Sequence, residues 1–134
     1  MRLTAHFHEQ WPTEPQLLTD LGKIFAPATL VPVMAAIHAG GVLVTARFNE
    51  RELAAAVMRL GGDEGSLSFI EVREVTRRRG VGRFVVECAA QRARQHGCKR
   101  LLLQAVDTPA AQAFAAACGA VRGDEGYALA LSTS

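Results

Sequence analysis

Along residues 2–8 apolar and polar positions alternate loosely, enough for a first β-strand. A helical period follows. Thr13, with Pro15 in the first turn and Gln16 three residues on, has the form of a helix start, and Leu17, Leu18, Leu21, Ile24 and Phe25 recur at helical spacing until Pro27. From Ala28 to Gly40 the pattern is equivocal, because an alanine-rich run interrupted by Pro32 fits a short helix or an irregular connection. A meander comes next. Residues 42–48 read as a strand, Asn49-Glu50-Arg51 as a tight turn and residues 53–60 as the returning strand. The glycine-rich residues 61–65 form a second turn into a third strand over 66–75. Strand geometry puts Phe69, Glu71 and Arg73 on one side of it and Ile70, Val72 and Glu74 on the other.

In the second half, Val81, Val85, Ala89 and Ala93 keep helical spacing, so a helix is expected from about Gly82 to His96, stopped by Gly97. Residues 100–105 form an apolar run suited to a buried strand, and the order strand, helix, strand makes it a parallel neighbour of the strand before the helix. Asp107 or Thr108 caps a last helix, with Pro109 at its start and Gly119 at its end, and residues 127–131 close the chain as a strand. The expected class is α/β (α+β). Its mixed sheet has an antiparallel N-terminal meander, a parallel strand–helix–strand unit and a C-terminal helix and strand.

Composition narrows the picture. The 134 residues fit one compact domain, 1–134, and 49% hydrophobic content with a formal charge of +2 makes any basic character local. That argues against a dedicated nucleic-acid binder. Cys88, Cys98 and Cys118 lack CxxC spacing, which favours free thiols in a reducing compartment. No signal-peptide core or membrane-spanning stretch is apparent, so a cytoplasmic protein is expected, with no membrane partner. His6 and His8 would share a strand face, a spacing two metal ligands could use, but no third ligand lies near in sequence. No metal site is expected.

The richest chemistry lies between Val72 and Arg83, where a strand runs through Thr76-Arg77-Arg78-Arg79-Gly80-Val81-Gly82-Arg83 into a helix. Gly80 and Gly82 let the backbone turn tightly and present amides at the helix start, where the unsatisfied N–H groups and the dipole favour an anion. Arginine forks add charge that can grip two phosphate oxygens at once. A pyrophosphate is the natural ligand. The lysine and hydroxyl residue of a GxxxxGK[ST] loop are absent, and a GxGxxG fingerprint would need glycine where Val85 stands. The simpler alternative is a solvated charge run, or an electrostatic patch for nucleic acid.

The meander feeding an [Q/R]xxGxG loop, filled here by Arg77 to Gly82, resembles the GNAT superfamily of acetyl-CoA-dependent N-acetyltransferases. The resemblance implies that Ile70, Glu71 and Val72 pair with the pantetheine arm of acetyl-CoA or CoA, while the amides from Thr76 to Arg83 take its pyrophosphate. Over residues 45–87, Ala46-Arg-Phe-Asn-Glu-Arg51, Leu53-Ala-Ala55 and the loop itself are similar to the PanM/PanZ family. That similarity implies a partner, the aspartate α-decarboxylase proenzyme of pantothenate synthesis. The CoA-loaded form would promote the self-cleavage that makes its pyruvoyl group and restrain the mature enzyme. Arg47 and Asn49 would lie on the partner surface, although Asn49 also suits plain hairpin chemistry.

Whether acetyl transfer occurs is left open. The GNAT resemblance implies a tyrosine acid four residues before the glycine ending the last helix, and that position is Ala115; the only tyrosine is Tyr127. Glu71 is the candidate base, with an ordinary exposed strand carboxylate as the alternative. Two readings result: an acetyl-CoA-responsive regulatory protein, and an N-acetyltransferase acting on a small-molecule or peptide amine.

Overall fold

The computed structural model describes residues 2–76, 79–104, 107–124 and 126–131. A seven-stranded sheet runs β1 (Thr4–His8), β2 (Val42–Phe48), β3 (Arg51–Gly61), β4 (Glu64–Val72), β5 (Arg100–Leu103), β7 (Gly126–Ala130), β6 (Val121–Gly123) in spatial order. Every neighbouring pair is antiparallel except β4 and β5, which are parallel. The expected class and topology are therefore present, with β6 as an added edge strand.

β3 organises the two layers. Its residues 53–58 are buried on both faces, as a strand covered twice must be. Ala54, Ala56 and Met58 face a core shared with α3 (Val81–Gln95), where Val81, Val85, Ala89 and Ala93 form the apolar stripe. Ala55 and Val57 face a second core with α1 (Pro15–Ile24) and α2 (Pro27–His38). Small alanines are weak strand formers, yet here they let helices approach both sides.

Several boundaries depart from the sequence pattern. Glu14, not Thr13, is the N-cap of α1; no side chain bonds there, and Pro15 at the first position presets the helical backbone. The undecided stretch 28–40 is mostly helix: α2 starts on Pro27 and carries Pro32 inside it, at the loss of one backbone bond, because Val33 and Ile37 are buried against the sheet. β4 stops at Val72 rather than Val75, and Glu74–Thr76 form a 3-10 turn. The alternation of faces thus holds for residues 69–72 and not for Arg73 and Glu74. The last helix, α4 (Pro109–Ala117), is capped as expected: the Thr108 hydroxyl accepts from the Ala111 amide at 3.1 Å. Ala105, at the end of the expected fifth strand, lies outside the described residues.

Among the described residues no helix is long and apolar enough to cross a membrane.

The β2–β3 turn has two residues, with Phe48 opposite Arg51, and both central residues have positive φ: Asn49 +50° and Glu50 +65°. Such a turn prefers Asn-Gly, and a Cβ in the left-handed region costs roughly 1–2 kcal/mol. Glu50→Gly is expected to stabilise the chain by about 1 kcal/mol, read as a higher urea midpoint at unchanged slope. An unchanged or lower midpoint would show that the Glu50 side chain offsets the strain.

Candidate functional site

β4 and β5 pair only from Glu64↔Arg100 to Leu67↔Leu103, with one further bond from the Gln104 amide to the Leu67 carbonyl at 2.9 Å. β5 then ends, while β4 continues beside β3 to Val72. The strands part. The edge of residues 68–72 that faces away from β3 has no strand partner among the described residues and opens on a cleft of about 1020 Å³. A bulge accompanies the divergence. The register shifts so that Ala56 opposes both Phe69 and Ile70, and Phe69 sits at φ +53°. The extra residue sends Phe69 into the α1–α2 core and Ile70 toward the α3 core.

The start of α3 forms the next wall. Gly80 is its N-cap at φ +79°, no side chain bonds there, and the first helical bond runs from the Phe84 amide to the Gly80 carbonyl at 3.0 Å. Helix geometry leaves the amides of Val81, Gly82 and Arg83 without intrahelical acceptors. A Cβ on Gly80 would meet nothing within 4 Å, so this glycine is needed for its left-handed backbone. A Cβ on Gly82 would lie 3.0 Å from Phe114 Cε1 and 3.1 Å from Val72 Cγ2, so that glycine is needed for close approach.

The remaining predicted loop residues are distributed less uniformly. Ile70, Glu71, Val72, Thr76 and residues 80–83 all line the cleft. Thr76, however, uses both amide and hydroxyl on the Arg73 carbonyl, at 2.9 and 3.0 Å, and so closes the 3-10 turn instead of offering a free amide. Arg79 is exposed, Arg83 pairs with Glu87 one turn on at 3.1 Å, and Arg77 and Arg78 lie outside the described residues.

The proton-transfer inventory is short. Of the described residues lining the cleft, Glu71, Asp107 and Arg83 are charged, and none is tyrosine, histidine or cysteine. Ala115 is fully buried at the cleft wall, beside Phe114. Tyr127 belongs to β7, opposite Leu103 and Arg122. Burial pushes the Cys118 thiol up in pKa, and burial together with Glu87 does the same to Cys88, which keeps both protonated at neutral pH. His8 is pushed down, chiefly by burial, and its Nε2 lies 3.4 Å from the Thr45 hydroxyl. Among the described residues no group of three or more His, Cys, Asp or Glu could hold a metal ion.

Arg47 and Asn49 sit away from the cleft, at the β2–β3 turn, above two sealed carboxylates. Glu52 accepts from Arg47 Nε at 3.0 and 3.1 Å and from the Thr45 hydroxyl at 3.1 Å. Asp20, from α1, accepts from Arg51 Nη2 at 2.7 Å, the Glu52 amide at 3.0 Å and Gln16 Nε2 at 3.1 Å. One helix is thereby tied to the turn. Sequence reasoning missed this network, although Asp20 interrupts the apolar stripe of Leu17, Leu21 and Ile24, a position where a charge must find partners.

Comparison with known proteins assigns the chain. The family model described as an acetyltransferase (GNAT) domain, PanZ, matches residues 9–128. The chain belongs to that family. The PanD regulatory factor of Salmonella typhimurium is 39% identical over 87 residues, and that of Escherichia coli K12 is 40% identical over 90 residues. Each alignment covers 65% of this chain and 65% of the relative, so the match spans just under two thirds of those curated proteins. The solution structure of the putative N-acetyl transferase YhhK from E. coli, bound to coenzyme A, superposes with a TM-score of 0.72 at 31% identity, covering 97% of this chain and 99% of that one. The ribosomal-protein-S18-alanine N-acetyltransferase of E. coli shares the fold at TM-score 0.74 and 19% identity, over 99% of this chain and 96% of its own. A CoA-binding type of fold is thus common to this chain and its neighbours.

Cleft residues that the sequence did not reveal come from distant segments: Thr29 and Pro32 of α2, Gln104 after β5, and Thr108, Ala111 and Phe114 around α4. Thr108 reads from the sequence only as a helix cap, and the others belong to no motif.

Burial alone would raise the pKa of Asp20, but the bonds from Arg51, the Glu52 amide and Gln16 outweigh it and hold the carboxyl below its ordinary 3.8. Its contribution is therefore fully present above the unfolded pKa and is lost as pH falls through the lowered folded value. Asp20→Asn is expected to cost about 2 kcal/mol near neutral pH. In urea titrations that gap should narrow as the pH is brought below the carboxylate range. A gap that stays constant into acid would show that the charge on Asp20 contributes nothing.

Proposed function

We propose that the chain binds acetyl-CoA and, in that state, regulates the aspartate α-decarboxylase proenzyme, promoting its self-cleavage and restraining the mature enzyme. The observation that carries this reading is a cleft well furnished for holding CoA and poorly furnished for transferring its acetyl group. The unpaired β4 edge at Ile70, Glu71 and Val72 suits the amides of a pantetheine arm, as an added strand would. The amides of Val81, Gly82 and Arg83, which have no acceptor within the helix, suit the pyrophosphate together with the open space at Gly80, and Arg79 and Arg83 add charge. The expected roles of Arg77 and Arg78 belong to the same loop.

When bound, acetyl-CoA would supply an acetyl thioester. Around it, this chain offers Glu71 as a proton acceptor, and at the position of a GNAT tyrosine it offers the sealed methyl of Ala115. Among the described residues lining the cleft, no tyrosine, histidine or cysteine stands ready to protonate the leaving thiolate. The name PanD regulatory factor, carried by the two curated relatives, supports a sensing role. Arg47 and Asn49 form the partner surface in this reading. Three free cysteines suit a cytoplasmic setting. The exposed Glu71 in the cleft favours a second reading, an amine N-acetyltransferase. It predicts thiol release from acetyl-CoA with some member of a broad amine panel, abolished by Glu71→Gln.

Two measurements test the main reading. Calorimetry should show acetyl-CoA binding that Gly82→Val weakens at least about tenfold, since the added side chain drives Phe114 and Val72 apart at the cleft wall. Co-purification should retain the decarboxylase proenzyme with acetyl-CoA present and release it without, the retained fraction being cleaved faster. Association indifferent to acetyl-CoA, or none at all, would overturn the regulatory role.

A further inference from the structure

A second cavity, of about 480 Å³, opens between the end of β1 and the last turn of α3. It shares no lining residue with the cleft beside β4, and Arg92 stands eleven residues beyond Val81, about 16 Å further along the helix. α3 packs on β2, β3, β4 and β5. Toward the edge strand a gap is left, which Arg92 spans by laying its guanidinium over the Phe7 ring, 3.8 Å from the centroid. Val42, Met58 and Leu60 supply an apolar floor. The volume lies within the roughly 300–1000 Å³ of small-molecule sites, which pair such a floor with a few placed polar groups.

The main polar group here is an arginine with its donors unspent. The Arg92 side chain makes no hydrogen bond or ion pair among the described residues, and Glu9 at the rim forms none with it. Stacking on Phe7 engages one face of the guanidinium and leaves its N–H edges for a ligand. A fork held flat in this way matches the two oxygens of a carboxylate and loses little freedom on binding. His96 Nδ1 lies 3.0 Å from the Arg92 carbonyl, which can only accept, so Nδ1 carries the hydrogen and Nε2 is left to the cavity. His8 borders the cavity too, but it turns to the opposite face of β1, where its Nε2 lies 3.4 Å from the Thr45 hydroxyl.

The surroundings limit how much charge can enter. Glu9 stands at the rim, and the carbonyl end of α3, the negative end of its dipole, lies alongside. One guanidinium set against both suits a single negative charge and not a phosphate dianion.

We propose that this groove is a second small-molecule site, for a monocarboxylate with an apolar body. The carboxylate sits on the Arg92 fork and the body covers Val42, Met58 and Leu60. Occupation of the groove requires nothing of the cleft beside β4.

Amide NMR titration of the full chain with phenylbutyrate, with and without acetyl-CoA, provides the test. Saturable shifts are expected at Phe7 to Gln10, Leu60 and Arg92 to His96, and none at Val81 to Arg83. The dissociation constant should be about 1 mM or tighter, the range open to a ligand of that size. Phenylbutanol, the neutral analogue, and inorganic phosphate should each bind at least about tenfold more weakly. Arg92→Gln should weaken phenylbutyrate binding by a similar factor. Arg92→Lys keeps a cation beside Phe7 without the fork, and should lose most of the affinity as well.

Absence of saturable shifts at these residues up to about 10 mM phenylbutyrate, or shifts confined to residues 81–83, would overturn the assignment. So would equal affinity for the acid and the alcohol, phosphate binding as tightly as the acid, or an Arg92→Gln chain that binds as the unaltered one does. Thermal melting checks that both variants fold. Should either fail, the comparison of acid with alcohol on the unaltered chain still decides.

Discussion

The parting of β4 from β5 is the constraint on which the rest of this structure depends. Backbone N–H and C=O groups must find partners, and a strand edge inside a sheet ordinarily finds them in its neighbour. Here the parallel pairing ends at Leu67 and Leu103, while β4 runs on to Val72. The abandoned edge can exist because it faces an open cleft rather than a dry core. The bulge at Phe69 and Ile70 makes the departure compatible with two cores, since it shifts the alternation so that Phe69 leaves the face of Leu67 for the α1–α2 core and Ile70 takes its place toward α3. The short 3-10 turn of Glu74–Thr76, closed by Thr76 on the Arg73 carbonyl, then leads the chain toward the start of α3. A strand edge and an open helix start therefore border the same cleft.

The second organising interaction lies at the β2–β3 turn, where the start of β3 runs beside the end of β4. Asp20 reaches from α1 to the backbone of Glu52 and to Arg51, while Glu52 gathers Arg47 and Thr45. The Asp20 bonds join α1 to the turn across more than thirty residues of chain, and with the bonds of Glu52 they hold a strained two-residue turn at a fixed angle to the helix layer. Such a network is costly to bury and adds little net stability over an apolar equivalent. It does define one geometry for the groups at the surface.

Much of this was legible along the chain. The meander, the crossover helix and the parallel neighbour strand follow from period-two and period-3.6 patterns broken at glycines, and Thr108 with Pro109 marked the last helix by local chemistry. The glycine loop announced itself too, because Gly80 and Gly82 are required by backbone conformation and close approach, and both demands are written locally. Where two local signals competed, as with Pro32 against the apolar run of α2, burial of Val33 and Ile37 decided the matter and propensity did not. The added edge strand β6 is three exposed residues and carries no apolar signature.

The sequence by itself determined the order of elements, the anion-ready start of α3 and the absence of a tyrosine at position 115, since each depends on residues within a turn or two of one another. The tertiary structure decided where β4 leaves β5, that Thr76 spends its amide on its own turn, that α2 and α4 complete the cleft, and that Asp20 and Glu52 are buried against two arginines. The physical reason is range. Helix starts and glycine conformations are short-range properties, whereas strand divergence and charge burial are set by packing between segments far apart in the chain.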